Sequence, residues 1–600
     1  MKPSLLALSI LISALAAVSA GAEEPRLTAE QQAQLDEAKK LDAKRSELLK
    51  QGRYSEAVPL AQRVVNIRKD ILGDRHRSYA ASLNELAVLY DDLGDYAKAE
   101  TLYRQTMTLD REILGEKHFN YAISVNNLAN VYRKQGDYAK AEPLYRQASA
   151  ILKEVLGEKS PDFAASLSNL GDLYIGMGTY AKAEPLLRQA VTIEQQSQTN
   201  RPVYAASLHN LAALYERMGR YAEAEPLYAQ ALAIDRKALG EKHPSCATHL
   251  NGLANLYKSM GAYAKAEALF QQALAIRKEM LGEKHPAYAN SLMNLASLCL
   301  DTADYPRAER LYRQALAIRK DALGEKHPEY ADSLNGVAEF YRTTGDYEKA
   351  EPLYREALAI YKEALGERHP EYALTLGNLA LLYRDTKDYA EAESLMQRGL
   401  QFEKDVFGTT HPSYATSLNN LGELYRGQGD YAKAEPLFRQ ALEIRRAALG
   451  DRHPLYAQSL NNLAAVYQGR GTYCKAEPLL VQSLAIEREA VGEKHPLYAA
   501  GLNNLGQLYS DEAEYNKAEP LLRRALPIYK EALGEQHPSY ANTLHNLTIL
   551  HERMAAAAES QPSVRLAPAT CEQGWPRCRS RCGPLPRRYG MRRSGICRRR

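Results

Sequence analysis

Histidine is the side chain that titrates nearest neutrality and the commonest metal ligand, and ten of the fourteen in this 600-residue sequence fall into one series. His76, His118, His243, His285, His327, His369, His411, His453, His495 and His537 each follow a glycine by three residues, in variants of Gly-Glu-Lys-His-Pro-x-Tyr-Ala such as "GEKHPAYA" from Gly282 to Ala289. A row of imidazoles could hold metal ions or relay protons. Ligands of one zinc must each lie within roughly 2.1 Å of it, whereas equivalent points on stacked helices stand about 8–10 Å apart. Two neighbours could share an ion; three could not. No acid, nucleophile or second ligand type accompanies the row at a spacing suited to catalysis. The row therefore reads as a structural joint, and no catalytic residue, metal or cofactor is expected.

The elements that carry the histidines follow from the period. The glycines Gly73, Gly115, Gly157, Gly240, Gly282, Gly324, Gly366, Gly408, Gly450, Gly492 and Gly534 repeat at 42 residues, apart from 83 between Gly157 and Gly240, where "QTNRPVYA" (Gln198 to Ala205) replaces the usual joint. Fixed self-similarity at such a period is the mark of a repeat architecture. Within one unit, Tyr414, Leu418, Leu421, Gly422 and Tyr425 recur at steps of three and four, the stripe of an amphipathic helix beginning at Pro412. "GQGD" then interrupts: Gly429 suits a left-handed helix end and Asp430 suits an N-cap. A second, longer helix carries Ala434, Phe438, Ala441 and Ile444 until Gly450, with Pro436 expected to bend its early turns. One hairpin cannot bury its own apolar face, so copies must stack.

Leu418, Leu421, Gly422 and Tyr425, with Ala434, Phe438 and Ala441, resemble the tetratricopeptide repeat, and the 42-residue spacing and phrases such as "SLNNLAAVY" resemble the kinesin light chain variety. The resemblance spans about Leu35 to Met554 and implies an all-α fold, a right-handed superhelical α-solenoid of stacked helix-turn-helix repeats. Departures are small: Ala303, Lys387 and Ala513 replace the inter-helix glycine, and Cys299 replaces the tyrosine. Residues 23–72 read as a degenerate capping repeat, and 73–554 as about eleven repeats plus a terminal capping helix.

The resemblance also implies that first helices line a concave wall where peptides bind. On a helical wheel Asn419, Asn420 and Glu423 point away from the apolar stripe. Asparagine is a poor helix former, yet Asn126, Asn419, Asn461 and Asn503 share one of these positions, and Asn127, Asn420, Asn462 and Asn504 the other. Their amides could hold the backbone of an extended ligand, or bond across to the adjacent unit and set the pitch. Arg133 and Arg426 flank this face and would suit acidic segments. These ten residues are the candidate groove. The expected partners are proteins or peptides, not nucleic acid, and the expected function is a non-catalytic scaffold. The competing reading is the sensor arm of an enzyme system, caspase-like or nucleotide-binding, but neither a phosphate-cradling glycine loop nor a Gly-x-Ser-x-Gly elbow occurs.

The two ends differ from the array. Residues 1–22, with Lys2, an apolar run from Leu5 to Val18 and small residues before Ala22, read as a secretory signal peptide, which implies a periplasmic or secreted protein. An uncleaved anchor is the alternative, and no other segment could cross a membrane. Residues 555–600 hold eleven arginines and no lysine, a net of +9 against +4 for the whole chain, so the repeats themselves are acidic. This tail reads as disordered, as a basic arm, or as a frameshift product rich in Arg, Pro and Cys. The seven cysteines fit no metal or disulfide framework.

Overall fold

The computed structural model describes residues 27–197 and 201–560. The expected signal peptide and residues 561–600 of the tail lie outside the described residues. Among those described there are twenty-five helices and no strand, from α1 (Ala29–Lys50) and α2 (Tyr54–Leu72) to α24 (Tyr515–Leu533) and α25 (Pro538–Ser560). The first twenty-four form twelve pairs, each a first helix and a second antiparallel to it across a tight turn.

The pair α19 (Pro412–Gly427) and α20 (Tyr431–Leu449) shows how the sequence makes the unit. His411 is the N-cap of α19: its Nδ1 accepts the Ser413 amide at 3.0 Å, and Pro412 occupies the first helical position, where no amide is needed. Gly429, at φ +78°, turns the chain, and the Asp430 carboxylate accepts the Lys433 amide at 3.1 Å to start α20. The second helix runs unbroken through Pro436 and stops at Gly450, at φ +91°. Ala434, Phe438 and Ala441 are fully buried against Leu418, Leu421 and Leu424. Gly422 lets the helices meet, since a Cβ there would lie 2.9 Å from the Phe438 ring.

Each unit then seals the next. The hydroxyl of Tyr425 donates to Glu393 on the preceding second helix at 2.6 Å, and Tyr174 to Glu142, Tyr257 to Glu225, Tyr383 to Glu351 and Tyr467 to Glu435 repeat the bond at 2.6–2.9 Å. The first pair, which the sequence marks as degenerate, substitutes ions for part of the apolar seam: Arg68 pairs with Asp42 and Arg45 with Glu85, both at 2.5 Å. At the other end α25 continues to Ser560, six residues beyond the boundary expected at Met554. Ala555 to Ala558 carry no apolar stripe, but alanine is the strongest helix former, so helical structure outlasts the repeat pattern.

First helices of adjacent units touch one another directly, as α11 (Pro244–Ser259) touches α13 (Pro286–Asp301), which puts them on the inside of the curve. The curve closes on itself. The imidazole of His327 reaches the carbonyl of Asp92, 235 residues earlier, with its Nε2 donating at 3.2 Å. His369 meets the carbonyl of Lys134 at 2.9 Å, His453 that of Arg217 at 3.0 Å and His495 that of Ser259 at 3.1 Å. Between five and six units therefore complete one superhelical turn, and the joints of one turn rest on the inter-helix turns of the one before.

Candidate peptide-binding groove

All ten joint histidines do the same local work. Nδ1 accepts the amide two residues on, at 2.9–3.2 Å, from His76 through His537. Ser160 does it with a hydroxyl at one of the two joints that lack histidine. An Nδ1 lone pair held by an amide is not free for a metal, and it fixes the proton on Nε2. Burial holds His411, His453 and His495 down at about 4, so they are neutral at pH 7. Among the described residues no group of three metal-type side chains is gathered.

The asparagines of the first helices form a ladder. Asn127 donates to Asn84 at 2.9 Å, Asn169 to Asn126 at 3.0 Å, Asn378 to Asn335 at 3.4 Å, Asn462 to Asn419 at 3.0 Å and Asn546 to Asn503 at 3.1 Å, each linking one unit to the one before. Asn419 is buried by this contact. Asn461 turns instead to the carboxylate of Glu487, at 3.0 Å. The ladder skips Asn420 and Asn504. The residue that would receive Asn420 is Gly377, which has no side chain and nothing within 4 Å of an added Cβ, and the partner of Asn504 is Asn461, whose Nδ2 has turned to Glu487 while its Oδ1 accepts no bond. Asn420 is half-buried and Asn504 exposed. The flanking arginines are engaged locally: Arg133 with Asp172 at 3.3 Å, and Arg426 with Glu423 at 2.6 Å.

A further polar seam lies where two first helices meet the second helix between them, and the sequence reading did not isolate it. One second-helix position carries Asp110, Glu194, Asp235, Arg277, Arg319, Glu403, Arg445 and Glu487 in different units. Arg445, 1% exposed, donates to the Ser459 hydroxyl at 3.0 Å and to the Leu455 carbonyl at 2.9 Å; Arg277 does the same with Ser291 and Ala287. Burial lowers both guanidiniums to about 10, and raises Glu194 to about 8 and Glu403 and Glu487 to about 7. Gly501 replaces the facing serine opposite Glu487, because a Cβ there would lie 2.2 Å from the carboxylate. The signal for this seam was the charged residue recurring within an apolar stripe.

In one unit the seam has the residue types of a proton relay. His249 Nε2 donates to Asp235 at 3.0 Å, and His209 Nδ1 lies 3.1 Å from His249 Nδ1. Burial, then the neighbouring His249, pushes His209 down to about 3. The same inter-unit bond is made by Ser168 with Ser207 at 2.8 Å and by Asn335 with Thr375 at 2.8 Å, so the histidine pair is a local form of a structural tie.

Among the described residues the first helices expose four large apolar side chains, Leu374, Leu455, Leu497 and Leu544. Leu374 sits at the centre of the outward face and is 54% exposed, more than any other large apolar side chain among the described residues. Gly377, one helical turn on, and Asn420 of the next unit lie beside it along the wall. Cys246 and Cys299 are buried elsewhere in the core, and no described cysteine is in a disulfide.

A tetratricopeptide repeat family model matches ten stretches, from 48–112 through 120–196, 203–279, 260–321, 288–363, 329–405, 371–447, 413–489 and 455–531 to 511–563. No curated protein matches the chain. Among solved structures it is similar to one described as kinesin light chain nearly identical TPR-like repeats from Podosopora anserina, at 26% identity over 34% of this chain and 97% of that one, with a TM-score of 0.30. It is also similar to BtubC (BKLC) from P. vanneervenii, at 25% identity over 39% and 91% with a TM-score of 0.31, and to yeast Tom70, at 15% identity over 81% and 97% with a TM-score of 0.40. The family matches cover most of the array, and no catalytic family is indicated: the chain belongs to the tetratricopeptide repeat family.

Proposed function

We propose that this protein is a non-catalytic scaffold that holds an extended segment of a partner protein along its first-helix wall. The family supports a protein-protein interaction role. The observation that carries the finer reading is Leu374, an exposed leucine on that wall, with the notch at Gly377 and the unladdered amide of Asn420 beside it. A peptide there would place an apolar side chain on Leu374 and bond its backbone to Asn420, while Asn462 and Asn127 serve the stack. Export follows from the reading of residues 1–22, and the N-terminal sequence of the protein recovered from the periplasm or medium tests it.

Selection of unstructured peptides on the immobilised array, followed by titration of the best binder, tests the site. Leu374→Asp with Asn420→Ala should weaken the selected peptide about tenfold or more, since a lost apolar contact and a lost hydrogen bond each contribute on the order of 1 kcal/mol. Unchanged affinity would remove the ligand from this part of the wall. A marked loss of thermal stability in Asn420→Ala alone would make that amide another inter-unit tie.

A further inference from the structure

The contact between superhelical turns recurs six times with one geometry. Gly52, Gly94, Gly136, Gly178, Gly219 and Gly261, all at positive φ, lie under the joints at 285–286, 327–328, 369–370, 411–412, 453–454 and 495–496. A Cβ added to any of them would meet proline Cδ at 2.7–3.0 Å. The histidine beside each proline covers the glycine too, and in four of the six its Nε2 lies 2.9–3.2 Å from a first-helix carbonyl.

The sequence responds to this contact and not to the local turn alone. The six turns against which a joint proline packs all hold glycine. The later turns, at residues 303, 345, 387, 429, 471 and 513, need the same positive φ but carry Ala303, Lys387 and Ala513 in three cases. Gly345, Gly429 and Gly471 in this set have nothing within 4 Å of an added Cβ. His537 covers the turn at Ala303, bonding the Asp301 carbonyl, but Pro538 is exposed there, as a looser seat over a Cβ requires. The upper partner varies in the same sense: all seven joints from His285 onward read His-Pro, whereas the earlier ones are mixed, His76-Arg77, His118-Phe119, Ser160-Pro161 and His243-Pro244.

Protonation attacks this contact at a defined atom. The proton would have to enter at Nδ1, where the amide two residues on already points, so two donors would face each other and the cap of the docking helix would be lost. The new charge would also be desolvated between turns. Burial outweighs the charged groups that face it. Beside His285 stand Arg277 and Glu329, with the Tyr54 ring edge-on at 6.5 Å. Beside His327 stand Glu329, Asp332, Arg319 and Asp92, and burial keeps the last up at about 7, so that it is largely neutral before the histidine charges. His411 stacks on Phe407 at 4.4 Å and faces Arg217; Arg445 is the charge near His453, and the Ser259 carbonyl is the polar group facing His495.

We propose that the histidine-proline joints from His285 to His495 are an inter-turn latch, which holds successive superhelical turns together at neutral pH and releases them when the histidines take up protons. Burial, aided at His285 and His453 by Arg277 and Arg445, lowers His285, His411, His453 and His495 to about 4 and pulls His327 down too. The sign is fixed: the latch is fully formed above the ordinary histidine value of about 6.5 and is lost as pH falls from there toward 4. Release lengthens the array without unfolding its units.

Small-angle scattering and circular dichroism of the full chain at pH 7.5 and 5.0 test this. The radius of gyration should rise at pH 5.0 while helicity is kept. Gly94→Ala with Gly136→Ala should expand the chain already at pH 7.5, whereas Gly345→Ala with Gly429→Ala, the same backbone penalty without a turn above, should leave it compact. A chain with His327, His369, His453 and His495 changed to Asn, which caps but neither reaches across nor titrates, should be expanded at both pH values. No acid expansion, expansion only with loss of helix, equal effects of the two glycine pairs, or a compact asparagine variant would each overturn the latch.

Discussion

The inter-helix turns at Gly94 and Gly429 have nearly the same backbone, φ +72° and +78°, and the same job of reversing the chain between two helices. They differ in what lies above. An added Cβ at Gly94 would sit 2.8 Å from Pro328, while at Gly429 it would meet nothing. Glycine at the first answers two demands, a left-handed conformation and a close approach; at the second it answers one, which Lys387 and Ala513 show can be waived at a cost. A repeat protein is commonly treated as a chain of nearest neighbours. Here a second-order contact, six units away, has left its own mark on the repeat.

The largest expected contrast is between Gly136→Ala and Gly429→Ala. Both incur about 1 kcal/mol for an alanine at positive φ, but only Gly136→Ala adds a steric overlap worth about 1–3 kcal/mol. Urea midpoints should fall clearly further for the covered site, and equal shifts would abolish the comparison. Next in size is the histidine pair. Changing His118 to Ala removes a cap worth about 1 kcal/mol; changing His369 to Ala removes that and a hydrogen bond to the Lys134 carbonyl worth roughly another 1 kcal/mol, so hydrogen exchange at the end of the first helix bearing Lys134 should accelerate only in the second variant. The smallest effect runs the other way. Lys387→Gly, at an uncovered turn with φ +67°, should stabilise the protein by about 1 kcal/mol, and a loss of stability would mean that its side chain makes a contact that outweighs the strain.

Much of this was legible in the residues. Helix bounds, the Asp430 cap, the Gly429 turn and the buried faces follow from a 3.6-residue stripe and its punctuation, because those are local demands. The cap made by His411 was legible as a polar residue before Pro412. The reach of its equivalents across a superhelical turn was not, since pitch accumulates from small rotations per unit that no single repeat encodes. A trace existed in the restriction of alanine and lysine to the later turns and of uniform His-Pro to the later joints. For the asparagines, the choice between tie and ligand was open in the sequence because each amide depends on what stands 43 residues earlier: Asn419 answers Asn462, Asn461 gives its amide to Glu487, and Gly377 leaves Asn420 unanswered. The helix beyond Met554 was missed because alanine extends a helix without an apolar pattern.

Nitrogen-15 spectra of the chain labelled only at histidine test most directly whether the row is a fastening and not a chemical site. At pH 6.5, where an ordinary imidazole is about half charged, His285, His411, His453 and His495 should still be neutral, with the proton on Nε2 and no change on adding zinc. Charging of these four near pH 6.5, a proton on Nδ1, or a zinc-induced shift would contradict the account.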